Sequence, residues 1–259
     1  MFYQNKNNVE KQKAVVTLNP SESKRLIAKA VARISFVQKA YKKGRLIIIG
    51  STTNAFVVEE LTGIKVNKYY FAAGLVSQGK LGCNPPEVRL KPFVFKGGAQ
   101  LDIHPNEMVK EFTAEDVYIK SANALDPEGN AGILMSADNG GTIGAALGIL
   151  YARGCRLITP VGLEKMIPSV IKASTKCGNQ TFLKAMGDPV GYMPLVNSVV
   201  ITEIEALNIL ADLETTHIAS GGVSGSEGAV TLVMEGTEKQ ISAGFEIVEN
   251  IKGELNVKA

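Results

Sequence analysis

Residues 46 to 63 read Leu46-Ile47-Ile48-Ile49-Gly50-Ser51-Thr52-Thr53-Asn54-Ala55-Phe56-Val57-Val58-Glu59-Glu60-Leu61-Thr62-Gly63. The opening run is apolar, rich in β-branched residues and without alternation, the pattern of a strand buried on both faces of a parallel sheet. Gly50 ends it. A helix is expected from about Asn54 to Leu61, closed by Gly63 at its C-terminal cap. Strand, tight loop and helix in immediate succession make half of a βαβ unit. In the loop between them, free backbone N–H groups and the helix dipole converge on one point, where anions bind well. Gly50 permits close backbone approach, and Ser51, Thr52 and Thr53 add hydroxyl donors able to follow the oxygens of a phosphate or carboxylate. The same residue types also cap helices that bind nothing. The spacing is neither GxxxxGK[ST] nor GxGxxG, so NTP and NAD chemistry lose support.

Upstream, Asn19-Pro20-Ser21-Glu22 reads as a capped helix start, with Pro20 at the first helical position and Glu22 reaching back. Leu26, Ile27, Ala30, Val31, Ile34 and Val37 then recur at helical spacing. Downstream, Tyr70-Phe71-Ala72-Ala73 and Phe93-Val94-Phe95 read as strands in an interval broken by Pro85-Pro86. Asp116-Val117-Tyr118-Ile119 is a further expected strand, followed by the turn-rich Pro127-Glu128-Gly129-Asn130 and a helix from about Thr142 to Arg153 ended by Gly154. Arg156 to Pro160 resumes the sheet. Leu163 to Ala173 has helical spacing that Pro168 must start or kink. The alternation predicts an α/β fold with an open, mostly parallel Rossmann-like sheet over residues 1–194. A stretch rich in Gly, Asn, Asp and Pro, from Cys177 to Pro194, marks a boundary. Residues 195–259 then read strand, helix, strand, strand, helix and a last strand at Leu255 to Val257, a smaller ferredoxin-like βαββαβ unit. The glycine-rich segment Gly221 to Gly228, joining its two central strands, reads equally as a ligand-approaching loop and as a plain hairpin.

Composition narrows the partners. The 259 residues are 45% hydrophobic and 20% charged, with a formal net charge of +3 and dispersed lysines, so a globular protein without a nucleic-acid footprint is expected. Cys83, Cys155 and Cys177 are odd in number and widely spaced, and neither His104 nor His217 has a Cys or His neighbour at ligand spacing, which predicts reduced thiols and no metal. No apolar run approaches the roughly 20 residues that cross a bilayer, and residues 1–13 lack a signal core. A soluble, cytoplasmic protein without a cofactor is expected. Its partner would be a phosphorylated or otherwise anionic small molecule, with homo-oligomerisation left open.

Two segments together resemble the superfamily that groups ribose-5-phosphate isomerase, glucosamine-6-phosphate deaminase, CoA transferases, methylthioribose-1-phosphate isomerase and the initiation factor two-B regulatory subunits. The first is Ile49 to Val57, similar to the isomerase loop in which a Gly-Ser-Thr run cradles phosphate. The second runs from Asp116 through Lys120, Asn123, Asp126 and Asn130 to Gly141-Thr142, similar to a strand, a Gly-Ala-Asp type turn, an Asn-containing loop and a Gly-Thr that opens a helix. Gly162 to Pro168 resembles a Gly-x-x-Lys-x-Val-Pro stretch of the lactate-utilisation branch. The resemblance implies phosphorylated-metabolite binding by Gly50, Ser51, Thr52, Thr53, Asn123, Asn130, Gly141, Thr142 and Lys165. The isomerase's paired-acid run is missing, and Asn123 stands where an acid would be; Asn is no general base. Lys96-Gly97-Gly98 reads as a turn. Asp126 and Lys120 are then the candidates for proton transfer and charge stabilisation in a sugar-phosphate isomerisation. Asp126-Pro127-Glu128-Gly129 reads also as a turn with Asp126 accepting backbone bonds. The alternatives are a non-catalytic sensor or assembly protein that keeps the pocket, and a CoA-ester-binding transferase relative.

Overall fold

The computed structural model describes residues 11–258. Leu46-Ile47-Ile48 lies in the strand Arg45–Ile48, inside a six-stranded sheet ordered Val199–Ile201, Arg156–Pro160, Val117–Ile119, Arg45–Ile48, Phe93–Lys96, Ala99–Gln100. The first four strands are mutually parallel, and the last two join antiparallel. Leu46, Ile47, Ile48 and Val117, Tyr118, Ile119 are all fully buried. Successive side chains of a strand point to opposite faces, so both faces of the sheet centre are covered. The fold is thus mixed α/β with a mostly parallel sheet. Among the described residues no helix is long and apolar enough to cross a membrane.

Local chemistry accounts for the helices around this sheet. Asn19 and Glu22 form a complete capping box at the start of Pro20–Arg33. Gly63 and Gly154 end Thr52–Thr62 and Gly141–Arg153 in left-handed conformations, φ 75° and 64°, where a side chain would be strained. The helical stripe expected to run on to Val37 is interrupted at Ile34, where the chain is extended and a second helix, Ser35–Lys43, begins. Arg25 ties the first helix to its surroundings. Its guanidinium bonds Glu59, Glu60 and Glu254 at 2.6, 3.0 and 2.8 Å and lies over the Phe56 ring.

Several expected elements form differently. Tyr70-Phe71 lies in a short helix, Lys68–Phe71, because the Asn67 side chain caps it by accepting from Tyr70 N–H. Leu163 to Ala173 splits into a 3-10 turn, Leu163–Lys165, and a helix, Val170–Ser174; the residues before Pro168 are extended, and Ile167 N–H donates to the Leu125 carbonyl. Lys96-Gly97-Gly98 is a hairpin turn, with φ 58° and 85° at its glycines.

The C-terminal strands distribute themselves between two sheets. Val199–Ile201 pairs in parallel with Arg156–Pro160 and extends the main sheet. Glu214–Ser220 and Val230–Gly236 pair with each other, and the free side of Val230–Gly236 is filled over seven residues by Gln12–Leu18 from the other end of the chain. With that edge occupied, Leu255 to Val257 forms no strand, and Leu255 is largely exposed. Gln12–Leu18 is a strand that no expected element of the sequence covers. One apolar core runs from Leu46 and Val117 through Leu26 and Ala206 to Leu213, Leu232 and Val248, on both sides of residue 194.

Candidate functional site

The strands Arg45–Ile48 and Val117–Ile119 are parallel neighbours, so the loops that follow them emerge side by side at one sheet edge. Such an edge is where open α/β sheets bind ligands. The first loop enters the helix Thr52–Thr62. Ser51 is its N-cap, with Oγ accepting from Asn54 N–H at 3.0 Å. The N–H groups of Thr52 and Thr53, first in the helix, have no intrahelical acceptor and carry the positive end of its dipole. Asn54 fastens the loop from below: its buried amide donates to the carbonyls of Ile49 and Ile119 at 2.7 and 3.3 Å, bridging the ends of both strands. Glycine is required at position 50 by packing, since a Cβ there would run into the Phe71 carbonyl oxygen.

Gly50, Ser51, Thr52, Lys120, Asn123 and Lys165 line one cleft of about 110 Å³. Lys120 also lines a wider neighbouring cleft of about 300 Å³, on whose wall Gly140, Gly141 and Thr142 open the helix Gly141–Arg153. That helix is pinned to the sheet by Tyr118, whose buried hydroxyl donates to the Thr142 carbonyl at 3.1 Å. Two helix N-termini therefore flank Lys120. Among the described residues neither cleft is lined by aspartate or glutamate.

The lysines differ in their partners. Lys165 Nζ donates to the Ala122 carbonyl at 2.8 Å. Lys120, at the end of Val117–Ile119, has its backbone N–H bonded to the Ile158 carbonyl, but among the described residues no hydrogen bond or ion pair holds its ammonium. Burial first, and the charge of Lys165 second, pull its pKa down to about 8. Its side chain is partly accessible within the clefts, so desolvation is real but incomplete.

The remaining expected site residues lie elsewhere. Thr53 is buried in the first helical turn, off the cleft wall. Asp126 is only 1% exposed, and its carboxylate is taken up by the N–H groups of Val170 and Asn130 at 2.9 Å each and by the Asn130 side chain at 3.1 Å. Burial pushes its pKa up, but these hydrogen bonds outweigh it and leave the group below its usual range. Asp126 and Asn130 thus organise the turn that carries Pro127 to Gly129, and neither lines the Gly50 cleft. Asn123 does line it; its Oδ1 accepts from Leu134 N–H at 3.0 Å. His104 caps Pro105–Met108, and His217 bonds Ser220 and the Ala219 carbonyl within its strand. The glycine-rich segment Gly221 to Gly228 is a loop between paired strands and lines neither cleft. No group of three or more His, Cys, Asp or Glu is placed to hold a metal among the described residues.

Behind Lys165 stands a charged cluster the sequence reading did not find. Glu203, fully buried, accepts from Leu163 N–H at 2.9 Å through Oε2, while its Oε1 and the Oε2 of Glu164 are buried without partners among the described residues. Burial, and then the charge of Glu164, raise the Glu203 pKa to about 7. Lys24 lies near both acids and Lys165; burial lowers its pKa despite the attraction of Glu164 and Glu203. In sequence, Glu203 is indistinguishable from an ordinary first-turn acid, because it is buried only when its helix, Glu203–Ala211, packs against Pro20–Arg33 in the folded chain. No family model, curated protein or solved structure matches the chain.

Proposed function

We propose that this protein binds a small molecule through an anionic group, phosphate above all, seated over Gly50, Ser51 and Thr52. The observation that carries this reading is the convergence of an open helix N-terminus with two lysines in a cleft that no described carboxylate lines. Backbone N–H groups there donate to oxyanions with little reorganisation, and Lys165 supplies full charge. A volume of about 110 Å³ suits a phosphate-sized group. The wider cleft, sharing Lys120, has room for the rest of a sugar-phosphate-sized molecule.

Binding without proton transfer is the better supported form of this reading. Isomerisation needs a carboxylate or another base within reach of the substrate carbons. Asp126, saturated by N–H donors, offers no carboxylate there, and the basic side chains lining the cleft are those of Lys120 and Lys165. A sensor or assembly protein that retains the ligand pocket fits these facts, and the resemblance to the sugar-phosphate isomerase superfamily is compatible with it. The test is backbone amide spectroscopy during titration with inorganic phosphate, ribose 5-phosphate and ribose. The Thr52 and Thr53 amides should shift with the two phosphates and not with ribose. Shifts confined to other parts of the chain would move the site away from Gly50.

A further inference from the structure

We propose that Lys120 is a covalent site: its amine condenses with the carbonyl of an aldehyde or ketone whose anionic group sits over Gly50 to Thr52. The inference rests on the anion-binding reading and adds to it a reaction and a substrate class. Among the described residues Lys120 is the one lysine that lines both clefts, which it shares with Gly74, Leu134 and Ser136 as their common wall, so a ligand anchored in the narrow cleft and extending into the wide one would run beside it. No described carboxylate pairs with its ammonium; Arg25 and Lys68 are paired, and Lys24, which like Lys120 has no ion pair among the described residues, still feels the charges of Glu164 and Glu203, whereas the charge acting on Lys120 is that of Lys165. Lys165, held on the Ala122 carbonyl, supplies the positive charge an anion needs and also disfavours a second charge beside it. A desolvated lysine next to another cation is the arrangement that frees an amine for nucleophilic attack.

The pKa of about 8 agrees with this geometry. At neutral pH it leaves roughly a tenth of the amine unprotonated, about two orders of magnitude more than an ordinary lysine. In the reaction the Nζ lone pair forms a C–N bond to the carbonyl carbon as the C–O π bond opens. Proton transfer from nitrogen to oxygen gives a carbinolamine, and loss of water leaves a C=N bond. No oxidant or further reactant is consumed.

Glycolaldehyde phosphate and glycolaldehyde, each followed by borohydride, provide the test. Borohydride delivers hydride to the C=N carbon and fixes the adduct as a secondary amine, which peptide mass spectrometry locates. At about pH 8 the phosphorylated aldehyde should label Lys120 at least about tenfold faster than any other lysine, since about half of its amine is then free. Inorganic phosphate should suppress that labelling, and Lys120→Arg should remove it while the phosphate-induced amide shifts persist. Labelling spread evenly over the lysines, with phosphate still shifting the Thr52 and Thr53 amides, would overturn the covalent site and leave the anion site standing. Rapid labelling of Lys120 that is equal for both aldehydes and indifferent to phosphate would overturn the anchoring that the proposal requires.

Discussion

Replacing Glu203 by glutamine should make the protein more stable at about pH 8 and leave it nearly unchanged at about pH 4. The carboxyl is fully buried and one oxygen is bonded to Leu163 N–H; the Ser23 hydroxyl lies near enough to favour the charged form, but the second oxygen has no well-formed hydrogen bond among the described residues. Burial and neighbouring Glu164 raise its pKa from 4.5 to about 7. A folded form that keeps its proton to higher pH than the unfolded chain loses stability as pH rises between those two values. The penalty is absent below about pH 4.5, grows through the interval and is complete above about pH 7. At 1.36 kcal/mol per unit the shift corresponds to about 3 kcal/mol. Glutamine keeps an oxygen for Leu163 and offers an N–H₂ to Glu164 Oε2, which has no partner among the described residues, so most of that penalty should be recovered. Urea unfolding of both proteins across this range gives the difference directly, because carboxylates common to both, such as Glu22 and Asp126 with their lowered pKa values, cancel. A gain of about 2 to 3 kcal/mol at the alkaline end, vanishing toward the acid end, is expected. A difference independent of pH, or a loss at about pH 8, would refute the assignment of a protonated buried acid.

Asp126→Asn should cost about 2–4 kcal/mol in chemical denaturation, since it replaces charge-assisted bonds from Val170 and Asn130 with weaker ones, while phosphate affinity changes little. Gly50→Ala places a Cβ against the Phe71 carbonyl oxygen and should destabilise the fold by about 1–3 kcal/mol, visible as a lowered melting temperature. Thr52→Asp should weaken phosphate binding at least about tenfold by like-charge repulsion and yet hold or slightly raise thermal stability, because an acid at a helix N-terminus contributes about 0.3–1 kcal/mol; unchanged affinity measured by titration calorimetry would reduce this loop to a helix cap.

What the sequence determined by itself is local. The capping box at Asn19 to Glu22, the left-handed glycines at 63 and 154, and the unalternating apolar strands at 46–48 and 117–119 each act over a few residues, so their consequences could be read without knowing what lies beside them. Strand ends in an α/β alternation converge on one edge of the sheet, which is why the loop at Gly50 and Lys120, each following a parallel strand, lie side by side. Tertiary structure decided everything that depends on distant partners. Gln12–Leu18 becomes a strand because Val230–Gly236, near the other end of the chain, presents an open edge, and Val199–Ile201 joins the main sheet instead of the C-terminal strands. Asp126 is a turn anchor because Val170, from another part of the chain, donates to it. Lys120 has no carboxylate partner among the described residues, and Glu203 is buried, for a common reason. Burial and charge pairing are sums over neighbours that the chain brings together only on folding, and no spacing of residues along the sequence encodes them.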